Sequence, residues 1–336
     1  VTEPGQRTGL AIRLVGLAAL LAVLLGLTAG DWGRGATTSA SGAWRPLKEA
    51  GLERTEVGAA RIGRSIYVVG GFVPPDDTTA AVERYDIRRD RWSRLPSMPI
   101  AVNHPAVAAH RGFLYVYGGY VDSSFGPVTA ALQRFDPRRH RWALLPESLT
   151  ARAAAGLVAI GPRLYAVGGV GPNGVLAILE VYDVASRRWR AAPPMGVARE
   201  HIAAVASGGR LYVFGGRVGA DNLDAVERFD PPRRRWSRLP PLLSPRSGFA
   251  AVDVRAHPVV FGGEELTPGG ETIRPVELFD PGARRWRPLP GMRTPRHGLG
   301  GSALGRRVYA VQGGPTPGLD FSGAIEFLDV PRRLLR

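Results

Sequence analysis

Apolar residues in most of this chain come in short runs cut by turn residues, a pattern of β-strands rather than helices. Residues 199–240 show the unit clearly. Residues 201–207 (HIAAVAS) are small and mostly apolar, as a buried strand requires, and Gly208-Gly209 makes a turn. Residues 211–214 (LYVF) form a β-rich run that stops at Gly215-Gly216. After a polar loop, residues 225–230 (AVERFD) alternate apolar and polar side chains, as a half-buried strand does. The turn 231–235 (PPRRR) cannot be helical, because proline lacks the amide hydrogen and clashes with the preceding turn. Residues 236–239 (WSRL) supply a fourth strand, closed by Pro240-Pro241.

This unit recurs. Six Gly-Gly pairs stand at Gly70, Gly118, Gly168, Gly215, Gly262 and Gly313, spaced 47 to 51 residues apart. Each follows a tryptophan (Trp44, Trp92, Trp142, Trp189, Trp236 or Trp286) by 26 residues five times and 27 once. An aspartate after Tyr or Phe precedes the tryptophan by six residues, as in Tyr85-Asp86 and Phe229-Asp230. A fixed period of this length marks a repeat architecture. A four-stranded unit cannot bury both faces alone, so neighbours must stack, and radial stacking gives a β-propeller. The predicted fold is all-β: a six-bladed propeller of four-stranded blades over residues 54–97, 102–146, 152–193, 199–240, 246–290 and 296–330.

The combination of strand, Gly-Gly, (V/L)-(E/Q)-x-(Y/F)-Asp and Trp resembles the Kelch repeat, and the resemblance covers residues 44–330. The sixth unit has no tryptophan of its own, since residues 330–336 (VPRRLLR) end the chain. The missing strand is expected at residues 43–47 around Trp44, which would complete the last blade and remove the open sheet edges. The predicted domain is therefore 43–336.

Ahead of it the chain changes character. Arg7 and Arg13 precede a 14-residue apolar run, residues 14–27, followed by small residues. This reads as a signal peptide over residues 1–30, with an uncleaved membrane anchor as the alternative, and places the propeller outside the cytoplasm. Residues 31–42 (DWGRGATTSASG) read as a flexible linker. The absence of cysteine excludes disulfides, lipoprotein attachment and thiol chemistry.

The formal charge is +15, carried by arginine and a single lysine, Lys48. Many arginines crowd the turn before each tryptophan, as in Arg233–Arg235. A solvated basic rim is the expected reading. Without interleaved aromatics, nucleic acid is not an expected partner.

Chemistry is expected where the innermost strands begin near the axis. Arg54, Val102, Arg152, Arg199, Arg246 and Arg296 stand 16 or 17 residues before each Gly-Gly. Five arginines at one repeat position suit either a positive ligand pocket at the channel mouth or a structural role bonding carbonyls of the neighbouring blade. The next two positions vary: Thr55, Asn103, Ala153, Glu200, Ser247 and His297, then Glu56, His104, Ala154, His201, Gly248 and Gly298. Ligand-binding candidates are thus the five arginines with Asn103, His297 and Tyr120. Acid–base candidates are Glu200, His201, Glu56 and His104. A three-histidine metal site from His104, His201 and His297 is disfavoured, because opposite channel walls are expected to stand too far apart. No metal or cofactor is expected. The variable loops after each Gly-Gly are the expected seat of specificity, with Tyr120, Phe125 and Phe321 as stacking candidates.

The resemblance implies an interaction module that binds a protein or glycan, anionic ligands included; the leader places it outside the cytoplasm, and a monomer is expected. The alternative is an enzyme on acidic sugars, since some exported six-bladed Kelch-like proteins are sialic-acid mutarotases. Galactose oxidase also carries Kelch-type repeats, but its radical cofactor needs a Cys–Tyr crosslink that a cysteine-free chain cannot form.

Overall fold

The computed structural model describes residues 43–335. The leader and linker expected over residues 1–42 lie outside the described residues. Six four-stranded antiparallel sheets form the blades. In the fourth, the order from the inside is Ala203–Ser207, Arg210–Phe214, Val226–Asp230 and Arg235–Arg238. The last blade closes as expected. Arg45–Pro46 is its outer strand, with Arg45 opposite Phe327 and Pro46 opposite Glu326. No helix among the described residues is long and apolar enough to cross a membrane.

Strand direction alternates through each blade, which sorts the connections onto two faces. Turns after the inner and third strands share a turn face. Loops after the second strand and the links between blades share a loop face.

Six apolar clusters hold the ring, one in each interface between blades. Second strands are buried on both sides: Ile66 and Val68 pack toward the sixth blade, Tyr67 and Val69 toward the second. The tryptophans do more than fill these interfaces. In every blade the indole N–H donates, at 2.7–3.0 Å, to a carbonyl just past the outer strand of the preceding blade, as Trp189 does to Pro146 and Trp44 to Pro290. The recurrent aspartates tie their turns: Asp86 Oδ1 accepts from the amides of Arg88 and Arg89, and Asp136 does the same for Arg138 and Arg139.

The second glycine of each of the first five pairs donates its N–H to the carbonyl that starts the next blade, as Gly119 does to Arg152 and Gly216 to Arg246. At Gly119 the backbone is left-handed (φ 109°), and a Cβ would lie 2.6 Å from the Asn103 carbonyl oxygen. In the sixth blade the amide bonded to Arg54 is that of Gly313. Gln312 (φ 54°) therefore occupies the first-glycine position there, and the visible Gly-Gly pair runs one residue late.

Candidate functional site

The six residues Glu56, His104, Ala154, His201, Gly248 and Gly298 meet around the axis on the loop face. All have left-handed backbones, with φ between 48° and 63°. That conformation is costly for residues other than glycine, so the surroundings must hold it. The hold is a closed ring of hydrogen bonds. His104 N–H donates to Glu56 C=O, Ala154 to His104, His201 to Ala154, Gly248 to His201 and Gly298 to Gly248, at 2.8–3.1 Å. Val57 N–H closes the circle on Gly298 C=O at 3.1 Å. Below the ring, small residues of the inner strands wall an axial cavity of about 180 Å³.

The arginines do not line this mouth. Arg54, Arg152, Arg199, Arg246 and Arg296 are fully buried. Each pairs with a glutamate in the third strand of its own blade: Arg54–Glu83 at 2.9 Å, Arg152–Glu180 at 2.6 Å, Arg199–Glu227 and Arg246–Glu277 at 2.7 Å, and Arg296–Glu326 at 3.3 Å. Their remaining N–H groups go mainly to carbonyls within the same blade, such as Gly70 and Ala81 for Arg54. The role is structural rather than a ligand clamp at the mouth, and the carbonyls bonded are mainly those of the same blade rather than the neighbouring one, although Arg152 Nε also donates to the Tyr117 hydroxyl of the second blade at 2.7 Å. The second blade confirms the logic. Val102 replaces the arginine, and Gln133 replaces the glutamate and bonds Ile100 through both ends of its amide. Both charges are lost together, which avoids an unpaired buried ion.

Glu56, His104, Glu200, His201 and His297 do come together, with two further residues. Glu56 contacts His104 Nε2 and His297 Nδ1, each at 3.2 Å. His297 Nδ1 also faces Glu264 at 3.3 Å, and Glu264 pairs with Arg217 at 3.2 Å. Arg217 reaches Glu200 at 3.1 Å and His201 Nε2 at 3.0 Å. His201 and His104 stand edge to face with ring centres 4.8 Å apart. The result is a closed cycle of buried or nearly buried ionisable groups around the axis. Arg217 and Glu264 were missing from the sequence-based candidates. Their signal was positional: both directly follow a Gly-Gly pair, and each bridges the varying residue that precedes the ring, Glu200 and Ser247 respectively.

Among the described residues, two trios bring possible metal-ligand atoms within 4.8 Å of one another: Glu56–His104–His201 and Glu56–Glu264–His297. The left-handed ring draws His104 and His201 together, with ring centres 4.8 Å apart, but His297 joins neither of them in a trio, so the three histidines form no single site, as expected. Such donors suit a divalent cation. Here they are largely tied to one another and to Arg217.

Burial acts strongly on every group of the cycle whose shift is resolved, but it sets the net direction only at His104. It pulls the His104 imidazole down to about 3, against the opposing charge of Glu56. Burial also pulls His297 down, but the hydrogen bond and charge of Glu56, followed by Glu264, outweigh it and raise that imidazole. Of the two imidazoles touching Glu56, His297 is thus the one whose charged form the surroundings favour. Glu56 is pushed up by burial, yet the surrounding histidines hold it well below the carboxylate range.

Asn103 and Tyr120 are structural neighbours of the cycle. Asn103 Nδ2 donates to Thr78 Oγ1 at 2.7 Å and to the Asp122 carbonyl at 2.9 Å, and its Oδ1 faces His104 Nδ1 at 2.7 Å. Tyr120 is buried edge-on against His104 and Phe125, and desolvation raises its hydroxyl to about 12. It offers no free stacking face, which corrects that expectation. Phe125 does, being half exposed.

Beyond the ring, the loop face is apolar and acidic. Of the seven exposed large apolar side chains among the described residues, six lie in its loops: Phe125, Leu149, Val218, Leu243, Leu266 and Leu319. The loops after the Gly-Gly pairs (72–79, 120–129, 170–175, 217–224, 264–274 and 315–322) contain nine carboxylates and two arginines. A positive mouth suited to anionic ligands was expected, and the loops carry the opposite balance.

The chain matches the KLHDC2/KLHL20/DRC7 Kelch-repeats domain over two overlapping spans, residues 56–263 and 154–322. It belongs to the Kelch-repeat family. Its propeller is similar over shorter stretches to Kelch-like protein 38 of Mus musculus, 44% identical over 54 residues, which is 16% of this chain and 9% of that protein. Kelch-like protein 34 of Homo sapiens is 34% identical over 78 residues (23% and 12%). Kelch-like protein terF of Aspergillus terreus is 35% identical over 91 residues (24% and 20%). The Kelch chain thus spans a fifth or less of these relatives' length. Among solved structures, that of YjhT superimposes with a TM-score of 0.72 and 16% identity, covering 82% of this chain and 95% of that one. At that identity the likeness shows the shared fold.

Proposed function

We propose that this Kelch propeller is a binding module that presents its loop face to a protein partner. One observation carries the reading: six exposed apolar side chains share that face, framed by carboxylates. Rim carboxylates around apolar anchors favour a partner with apolar side chains flanked by basic residues. The apolar run 14–27 supports a place outside the cytoplasm, exported or anchored. The test is competition. A photo-crosslinker at position 125 should give protein adducts that excess unlabelled wild-type protein displaces. The variant Phe125→Ser/Val218→Ser/Leu266→Ser/Leu319→Ser, with unchanged Tm, should fail to displace them. Equal displacement by that variant would overturn the reading.

A second reading, an acidic-sugar mutarotase, is favoured by the proximity of Glu200, His201 and Arg217 beside the axial cavity. Two features weigh against it. The candidate acid and base groups are engaged in the closed cycle. The lining of the cavity beneath the ring holds no lysine or arginine for a sugar carboxylate.

A further inference from the structure

The turn face has the opposite chemistry. The outer turns 86–91, 136–141, 183–188, 230–235 and 280–285 contain thirteen arginines and six aspartates. The aspartates are spent at the base of their turns. Asp86, Asp136, Asp183, Asp230 and Asp280 accept from turn amides, and Asp90 accepts from Tyr85 Oη–H. Arginines such as Arg88, Arg138, Arg235 and Arg285 are exposed, with no side-chain hydrogen bond or ion pair. The inner turns add to this: residues 62–65, 110–113, 160–163, 207–210, 254–257 and 304–307 each hold at least one arginine and no acidic residue, with Arg163, Arg210 and Arg307 paired to Asp183, Asp230 and Asp329 and the rest of these arginines in no ion pair among the described residues. Cations thus cover the turn face from the axis to the rim, while the acidic loops occupy the other face.

We propose that the turn face docks on an anionic phospholipid surface. Guanidinium groups pair with phosphate oxygens in a fork geometry, and basic side chains at a bilayer gain from its negative surface potential. Two observations select a lipid surface over a nucleic acid. First, the arginines are spread around a broad ring of short turns, and among the described residues this face has no projecting helix or ribbon to enter a groove and no exposed large aromatic for base stacking. Second, the chain reaches the propeller on this same face. Arg45–Pro46 runs antiparallel to Ile325–Asp329, so the segment before it starts beside Asp329, at the turn-face end of the closing blade. The apolar run 14–27 lies upstream of that point in the chain. A bilayer that took up that run would be joined to the propeller by a chain that enters on the arginine face.

The test compares sedimentation of the full chain with vesicles of phosphatidylglycerol and phosphatidylcholine against vesicles of phosphatidylcholine alone. The neutral vesicles subtract whatever the apolar run contributes. More than about tenfold tighter binding to the anionic vesicles is expected, declining as salt is raised. The variant Arg88→Gln/Arg138→Gln/Arg235→Gln/Arg285→Gln, which removes no intramolecular partner, should lose most of that preference at unchanged Tm. Equal binding to both vesicles, or a preference untouched in the variant, overturns the proposal. Tighter binding to duplex DNA than to anionic vesicles at equal phosphate concentration, lost in the same variant, overturns it in favour of a nucleic-acid face.

Discussion

A buried guanidinium is stable only while its counter-charge is present, and this rule governs five of the six blades. Desolvation lowers the Arg199 pKa, and Glu227, at 2.7 Å, opposes that shift. Breaking such a pair strands an ion in the core. Arg199→Val or Glu227→Gln alone should cost about 3–5 kcal/mol of unfolding free energy. The second blade supplies the neutral alternative, Val102 with Gln133. Arg199→Val/Glu227→Gln should therefore be closer to wild type than either single variant in chemical denaturation. Additive losses would show that the pairing is not what matters. At the axis, His297 gives a pH signature. Its native pKa is raised, so the folded state binds the proton more tightly than the unfolded chain, whose histidine titrates near about 6.5. The resulting stabilisation is complete below that value and is lost as pH rises through the native pKa. The stability gap between wild type and His297→Gln should shrink over that window, and NMR should show His297 titrating above 6.5.

At the scale of the blade, sequence and structure agree most closely. Strand runs, the Gly-Gly stops and the Tyr/Phe-Asp turns are local, and a single chain displays them without any knowledge of neighbours. What the sequence hides is the partner of each group. The Arg–Glu pairs join residues 28 to 31 apart. The glutamate was visible only as the E/Q of the third-strand motif. The left-handed ring was also hidden, because glutamate, histidine and alanine do not advertise a positive φ as glycine does. The missing tryptophan of the sixth unit, by contrast, correctly pointed to the closing strand. Deleting residues 43–50 removes that strand and the Trp44 indole packed against Phe261 and bonded to Pro290. Loss of a buried tryptophan alone costs about 3–5 kcal/mol, so the truncated chain should unfold at least that much more easily. A wild-type Tm would contradict closure as a source of stability.

Across the whole molecule the charges divide into three populations: buried pairs inside blades, a closed cycle at the axis, and two surfaces of opposite sign. A net charge of +15 conceals this division. Judging the mouth by its arginines gave the wrong sign, because those arginines point into their blades. The carboxylates of the loops, which set the actual sign, were legible in the same sequence. The account assigns the axial residues to holding the ring and the loop rim to binding. Anomeric equilibration of N-acetylneuraminic acid, followed by ¹H NMR with and without the protein, tests that division most directly. The account predicts the rate of buffer alone, with Glu200→Gln changing Tm but not the rate. Acceleration by wild type that disappears in a folded Glu200→Gln or His201→Gln variant would contradict it and make the axial cycle an active site.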